Sequence, residues 1–132
     1  MRGHSFTITK TFDEEDVTEY QGLYITGGRT PEYIRLNQKV LELTRHFCDN
    51  NLPIAAICHG IQVLFAAGVT ESRTLTCYLA VLPDMIIAGG KYKEVLPTEM
   101  VKDGNLIMSP ARPDHQGLVR GFYEMLGIMI IM

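Results

Sequence analysis

The 132-residue chain lacks the features that define several large protein classes. It has no excess of base: 12 Lys and Arg stand against 15 Asp and Glu, a net charge of −3. A binder of phosphate backbones needs a basic face, so no nucleic-acid partner is expected. It has no run of about 18 uncharged apolar residues, so no membrane helix is expected. Met1-Arg2-Gly3-His4-Ser5-Phe6 has no apolar run behind its charge, so no secretory leader is read there. Cysteine is scarce. Three widely spaced residues make no disulfide framework, and no CxxC or Cys/His spacing points to zinc. A reducing, cytoplasmic compartment is therefore the expectation, with neither metal nor cofactor.

What is present is an ordinary globular composition, 46% hydrophobic and 20% charged, and an alternation of strand-like and helix-like segments. No repeat or linker divides the chain. The pattern predicts one α/β domain over residues 1–132 with a mostly parallel sheet. Ser5–Phe12 alternates like an edge strand, and Gly22–Thr26 reads as a buried strand leaving through Gly27-Gly28. Thr30-Pro31-Glu32 is a helix start, with Thr30 as cap. Tyr33, Leu36, Val40, Leu43 and Phe47 then step by 3, 4, 3 and 4, which predicts one continuous helix ended by Asn50-Asn51 and Pro53. Ile54–Ile57 is a strand and Ile61–Ala67 a helix closed by Gly68. Thr74–Cys77 is a further strand, and Leu79–Ala88 a helix holding Pro83 in its first turn. Val95–Val101 and Leu106–Met108 flank the Asp103-Gly104 turn, and Asp114–Leu126 is a last helix. The apolar tail Ile128–Met132 is expected to pack or make a contact.

Ala56-Ile57-Cys58-His59-Gly60 carries the chemistry. It has the layout of a nucleophile elbow, with small residues two places either side of a reactive one. Such a turn lifts the Cys58 thiol above the carboxyl end of the sheet, where open α/β folds bind ligands. The free amides of the following helix favour the thiolate, and the His59 N–H is placed to be half of an oxyanion hole. A cysteine after a core strand can equally be a small buried hydrophobe. The double glycine favours the chemical reading, because Gly27 and Gly28 end the preceding parallel strand and can complete an anion pocket beside the elbow. Cys48 and Cys77 read as packing residues. Arg112 and His115 are candidates for the mouth of the pocket.

The segments Gly27-Gly28-Arg29-Thr30-Pro31-Glu32-Tyr33-Ile34-Arg35-Leu36 and Ala55-Ala56-Ile57-Cys58-His59-Gly60 resemble the paired signatures of the ThiJ/PfpI family. That family takes in PfpI-type intracellular proteases, cofactor-independent glyoxalases and deglycases. The similarity runs from about His4 to Leu126. It implies a flavodoxin-like three-layer sandwich related to class I glutamine amidotransferases. It implies Cys58 as nucleophile, His59 as its adjacent histidine, and Gly28 and His59 as backbone donors of the oxyanion pocket. It also implies a homo-oligomer, dimer or larger, in which Glu32 reaches the histidine of a neighbouring subunit. The implied substrates are small reactive aldehydes, with glyoxalase III-type conversion of methylglyoxal to lactate or deglycation, or else peptides. In one respect the sequence departs from the family. A strand–helix–strand unit with a poising glutamate has no counterpart before Phe6, since such a unit needs about 30 residues. The expectation is a domain incomplete at its N-terminus. The alternative that follows is a truncated, non-catalytic module for redox sensing or chaperone-like binding.

Overall fold

The computed structural model of the chain describes residues 20–111 and 115–127, apart from the side chain of His115. The expected strand at Ser5–Phe12 and the apolar tail lie outside the described residues. The described elements run β1 (Leu23–Ile25), α1 (Thr30–Ile34), α2 (Gln38–Asp49), β2 (Ile54–Ile57), α3 (Ile61–Ala67), β3 (Thr74–Leu75), α4 (Leu82–Ile87), β4 (Lys91–Tyr92), β5 (Val101–Asp103), β6 (Leu106–Ser109) and α5 (His115–Met125). The main sheet has the order β1-β2-β6-β5. β1, β2 and β6 are parallel and β5 is antiparallel to β6. No described helix is long and apolar enough to cross a membrane.

Strand pleating splits the core in two, because successive side chains leave a strand on opposite faces. Ile54 and Ala56 of β2, with Leu106 and Met108 of β6, meet Val40 and Phe47 of α2 and Ile61 and Leu64 of α3. Ala55, Ile57 and Ile107 point the other way and are covered by Leu118 and Phe122 of α5. A strand buried on both faces reads as an uninterrupted apolar run, which is what Ile54-Ala55-Ala56-Ile57 is; all four are buried. The result is a three-layer α/β sandwich with helices on both faces, as expected. A cavity of about 250 Å³ remains where β1 meets α1 and α2, lined by Leu23, Ile25, Ile34, Val40, Leu43 and Val63.

Four expectations need correction. The helix expected from Thr30 to Asn50 is two helices. Asn37 is extended (φ −87°, ψ 117°), and its side-chain oxygen accepts from Lys39 N at 2.8 Å and Val40 N at 3.4 Å. A side chain that captures the first amides of a new helix competes with continuation of the old one. Thr30 does not cap α1: Arg29 holds the N-cap position, with no side-chain cap bond. The register shared by Tyr33 and Leu36 with Val40 therefore buries neither: they are 67% and 75% exposed. The strand expected at Thr74–Cys77 is only Thr74–Leu75, and it pairs with β4 in a separate two-stranded parallel sheet. Of Val95–Val101, only Val101 joins the hairpin across Asp103-Gly104.

Candidate active site

At the carboxyl end of β2 the chain bends abruptly. Ile57 is still extended (φ −125°, ψ 139°), whereas Cys58 has φ +56°. A side chain in this left-handed region costs roughly 1–2 kcal/mol, and residues held there cluster at functional sites. A single 3₁₀ turn over Cys58–Gly60 leads into α3.

Two glycines make the bend possible. A Cβ on Gly60 would lie 2.7 Å from the Ile25 carbonyl oxygen and 3.0 Å from that of Thr26. A Cβ on Gly27 would lie 3.0 Å from both Cys58 Cβ and the Ile57 carbonyl oxygen, and 3.7 Å from His59 N. The end of β1 and the elbow are thus in backbone contact through two residues without side chains. Ala56, on the strand side, is fully packed at 1% exposure. For Gly60, the small residue two places after Cys58, the structure makes the steric reason explicit.

This packing sets the thiol at a half-exposed position, with Cys58 Sγ 3.2 Å from His59 Nδ1. A proton can pass between them: the thiol donates to a bare Nδ1, or a protonated Nδ1 donates to the thiolate. The His59 N–H opens a helical turn and so has no acceptor within it. Gly28, with φ +77°, makes no backbone hydrogen bond among the described residues. Among the described residues, two uncommitted amides therefore lie on the segments that meet at the sulfur.

Tyr78 completes the surroundings and was not anticipated. Its ring centroid is 5.1 Å from that of His59, at an interplanar angle of 39°, so it buttresses the imidazole. The one signal in the sequence was position: Tyr78 immediately follows the expected strand Thr74–Cys77, and loops after strands collect at the ligand end of α/β sheets.

The other candidates separate clearly. Glu32 sits in α1, exposed, with no hydrogen bond or ion pair to His59 of its own chain. Arg112 lies outside the described residues. His115 opens α5, with its side chain likewise outside them. Cys77 is buried at 2% exposure, and burial, followed by the Asp84 carboxylate, pushes its thiol up to about 11. Cys48 is half-buried, 3.9 Å from Arg73 Nη1. Among the described residues no group of three or more His, Cys, Asp or Glu could hold a metal ion.

The profile of the DJ-1/PfpI family matches residues 1–125. Protein DJ-1 homolog D of Arabidopsis thaliana is 42% identical over 127 residues, which is 96% of this chain and 33% of that protein. Deglycase PfpI of Pyrococcus furiosus is 39% identical over 124 residues, covering 94% of this chain and 73% of the relative. The chain therefore spans a third of the plant protein and about three quarters of the archaeal one. Among solved structures, a two-domain protein of Anabaena variabilis with DJ-1/ThiJ/PfpI-like and ferritin-like domains superposes with a TM-score of 0.82 at 29% identity, over 89% of this chain and 33% of that one.

Proposed function

The chain belongs to the DJ-1/PfpI family, and from that premise we propose that it is a cysteine-dependent enzyme of the deglycase type acting on small reactive aldehydes and their adducts. The observation that carries this reading is the strained, half-exposed Cys58 with its sulfur 3.2 Å from His59 Nδ1. The deglycase name of the Pyrococcus furiosus relative supports it.

For methylglyoxal the reaction is an internal redox isomerisation followed by hydrolysis. The Cys58 thiolate adds to the aldehyde carbon, and the new alkoxide is held by the N–H groups of Gly28 and His59. His59 takes the proton from that carbon and returns it to the neighbouring one. The aldehyde carbon is thereby oxidised to a thioester and the ketone reduced to an alcohol. Water cleaves the thioester, giving lactate and the free thiol. No external oxidant or reductant enters. Glu32 from a second copy orients His59, which fits its exposure and its lack of contact with His59 within the chain.

The test is lactate formation from methylglyoxal by the chain and by Cys58→Ala. A loss of at least about a thousandfold in the variant is expected, in line with removal of a covalent nucleophile. Equal rates would remove Cys58 from the chemistry. A second reading, redox sensing, draws on the same half-exposed thiol, since accessible cysteines are the ones that oxidise to sulfenic acid. An inactive wild type whose Cys58 gains one oxygen under mild peroxide would favour it.

A further inference from the structure

Three segments bound the elbow: β1 with its exit turn (22–31), β2 with the elbow itself (54–63), and β3 with the Tyr78 loop (74–83). Together they carry Arg29 and His59 but neither Asp nor Glu. Arg29 directly follows Gly28, whose N–H is one of the two uncommitted amides, and Thr26, Gly28, Arg29 and Thr30 are all exposed. The Arg29 guanidinium makes no hydrogen bond or ion pair among the described residues. Glu32 and Asp84, which follow the first and last of these segments, do not pair with it. Two residue steps of about 3.8 Å each separate Arg29 from Gly27, where an added Cβ would lie 3.0 Å from Cys58 Cβ. An arginine stem of three methylenes spans a distance of that order, so the guanidinium can reach the mouth of the site.

A solvated surface arginine is ordinary. One that adjoins an oxyanion donor, on segments free of carboxylates, is placed to meet a second negative charge on whatever the thiol attacks. We propose that Arg29 selects the substrate, holding the carboxylate of an α-oxoaldehyde that carries one, while the N–H groups of Gly28 and His59 hold the oxyanion. A carboxylate fits better than a phosphate. The guanidinium fork matches its two oxygens, and one lone cation balances its single charge but not the larger charge of a phosphate monoester. The inference rests on the aldehyde reading above and names its substrate class. 4,5-Dioxopentanoate has the required form. Cys58 adds to its aldehyde carbon, which is oxidised to a thioester as the neighbouring ketone is reduced to an alcohol. One water then releases 2-hydroxyglutarate and the free thiol. The carboxylate takes no part in these steps, so Arg29 holds it equally in the ground and transition states.

Two measurements test this. The first needs no turnover. Iodoacetate and iodoacetamide alkylate Cys58 by the same displacement, a sulfur–carbon bond forming as iodide leaves, and they differ by one negative charge. The ratio of iodoacetate to iodoacetamide rates at Cys58 is read by peptide mapping at pH 8 and low salt. It should fall at least about fivefold in Arg29→Gln and less in Arg29→Lys, and about 1 M salt should narrow the gap between wild type and Arg29→Gln. The second measurement compares kcat/KM for 4,5-dioxopentanoate with that for 2-oxohexanal, an uncharged oxoaldehyde of similar length. Arg29→Gln should lose at least about ten times more on the first than on the second, mainly through a raised KM. An unchanged alkylation ratio, an equal fall in Arg29→Lys and Arg29→Gln, or equal losses on the two substrates would each overturn the proposal. If the wild type turns over neither substrate, the aldehyde reading fails and the alkylation ratio alone decides Arg29. A fall in Arg29→Gln then keeps it as a carboxylate-binding residue at Cys58, and no fall removes it.

Discussion

β2 is only four residues long, yet the protein treats its two ends oppositely. At the amino end the polar groups of Asn105, Arg73 and Asp103 are tied into one network. Ile54 N donates to the Asn105 carbonyl, and Asn105 Nδ2 donates to the Leu52 carbonyl at 2.9 Å. Arg73 Nη2 donates to both the Asp103 carbonyl (2.6 Å) and Asn105 Oδ1 (2.9 Å), and Asp103 Oδ2 accepts from Thr74 N. This network ties the β5–β6 hairpin to β3 and to the start of β2. At the carboxyl end the backbone is strained at Cys58, the thiol and imidazole are in hydrogen-bond contact with each other, and among the described residues the nearby amides of Gly28 and His59 have no backbone acceptor. Saturated polar groups fix a structure; unspent ones are free to bind something else. The same short strand is anchored at one end and leaves polar groups open to a ligand at the other.

The sharpest way to break this contrast is a pair of substitutions, one at each end. Cys58→Gly should abolish turnover, a loss of a thousandfold or more. Its stability should stay level or rise, because glycine removes a left-handed strain of about 1–2 kcal/mol at an entropic cost of similar size. Asn105→Ala should do the reverse. It removes one bond to Leu52 and leaves a donor of Arg73 unanswered, so a loss of about 2–3 kcal/mol is expected at roughly 1 kcal/mol per bond plus the unsatisfied group. Rate per folded molecule should be unchanged. Denaturant melts alongside initial rates would check both. A fall in stability for Cys58→Gly matching that of Asn105→Ala would erase the distinction.

Next in size is the glycine contact that holds the elbow against β1. At Gly60→Ala the new methyl meets backbone carbonyls at 2.7 and 3.0 Å, neither of which can swing aside. Overpacking of this kind costs about 1–3 kcal/mol, and the displaced elbow should lose activity as well. Gly27→Ala pushes on Cys58 Cβ at 3.0 Å and should lower the rate more than the melting temperature. If both variants behave like the wild type, close backbone approach is not what shapes the site.

The elbow was legible because its requirement is local. A nucleophile on a tight turn needs small neighbours two residues away, and Ala56 and Gly60 state this in the sequence. Ile54–Ile57 was legible for a similar reason, since burial on both faces leaves no polar position. The break at Arg35–Asn37 was not. The 3-4-3-4 spacing of Tyr33, Leu36, Val40, Leu43 and Phe47 runs straight through it, and only the Asn37 side chain, capturing Lys39 N and Val40 N, shows that a second helix begins there. β3 and β4 have two residues each, too few to display a period. Tyr78 was missed because its contact with His59 joins segments far apart in sequence, and no local pattern encodes it. The exposure of Glu32 could not be read from sequence either, since its position in the helical register gives a face but not what covers that face.

A smaller effect separates the half-buried Cys58 from the buried Cys77. Iodoacetamide at pH 8 should label Cys58 in the folded protein and spare Cys77, whose thiol, pushed up to about 11, holds at that pH roughly a hundredth of the thiolate of an ordinary cysteine. Peptide mapping after timed quenching would give the order. Labelling of Cys77 at the same rate would mean that the interior opens far more readily than its packing allows.

The smallest effect is the alkaline behaviour of that buried thiol. Its folded value lies above the ordinary 9.0, chiefly through burial and secondarily through Asp84. Below pH 9 the thiol is neutral in both folded and unfolded chains, so its contribution to stability is fully present. Between pH 9 and about 11 the unfolded chain gives up the proton while the folded chain keeps it, and stability falls as pH rises. Cys77→Ala leaves a small cavity whose cost does not depend on pH, and it has no thiol to titrate. The variant should therefore be less stable than the wild type at pH 8, and the deficit should narrow toward pH 10.5. Tyr24 and Tyr92 are also raised, both chiefly by burial, but they are present in both proteins, and only the interaction of Tyr92 with Cys77 differs between them. A deficit constant across that range would show that Cys77 titrates like a solvated thiol and that the core beneath α4 is open to water.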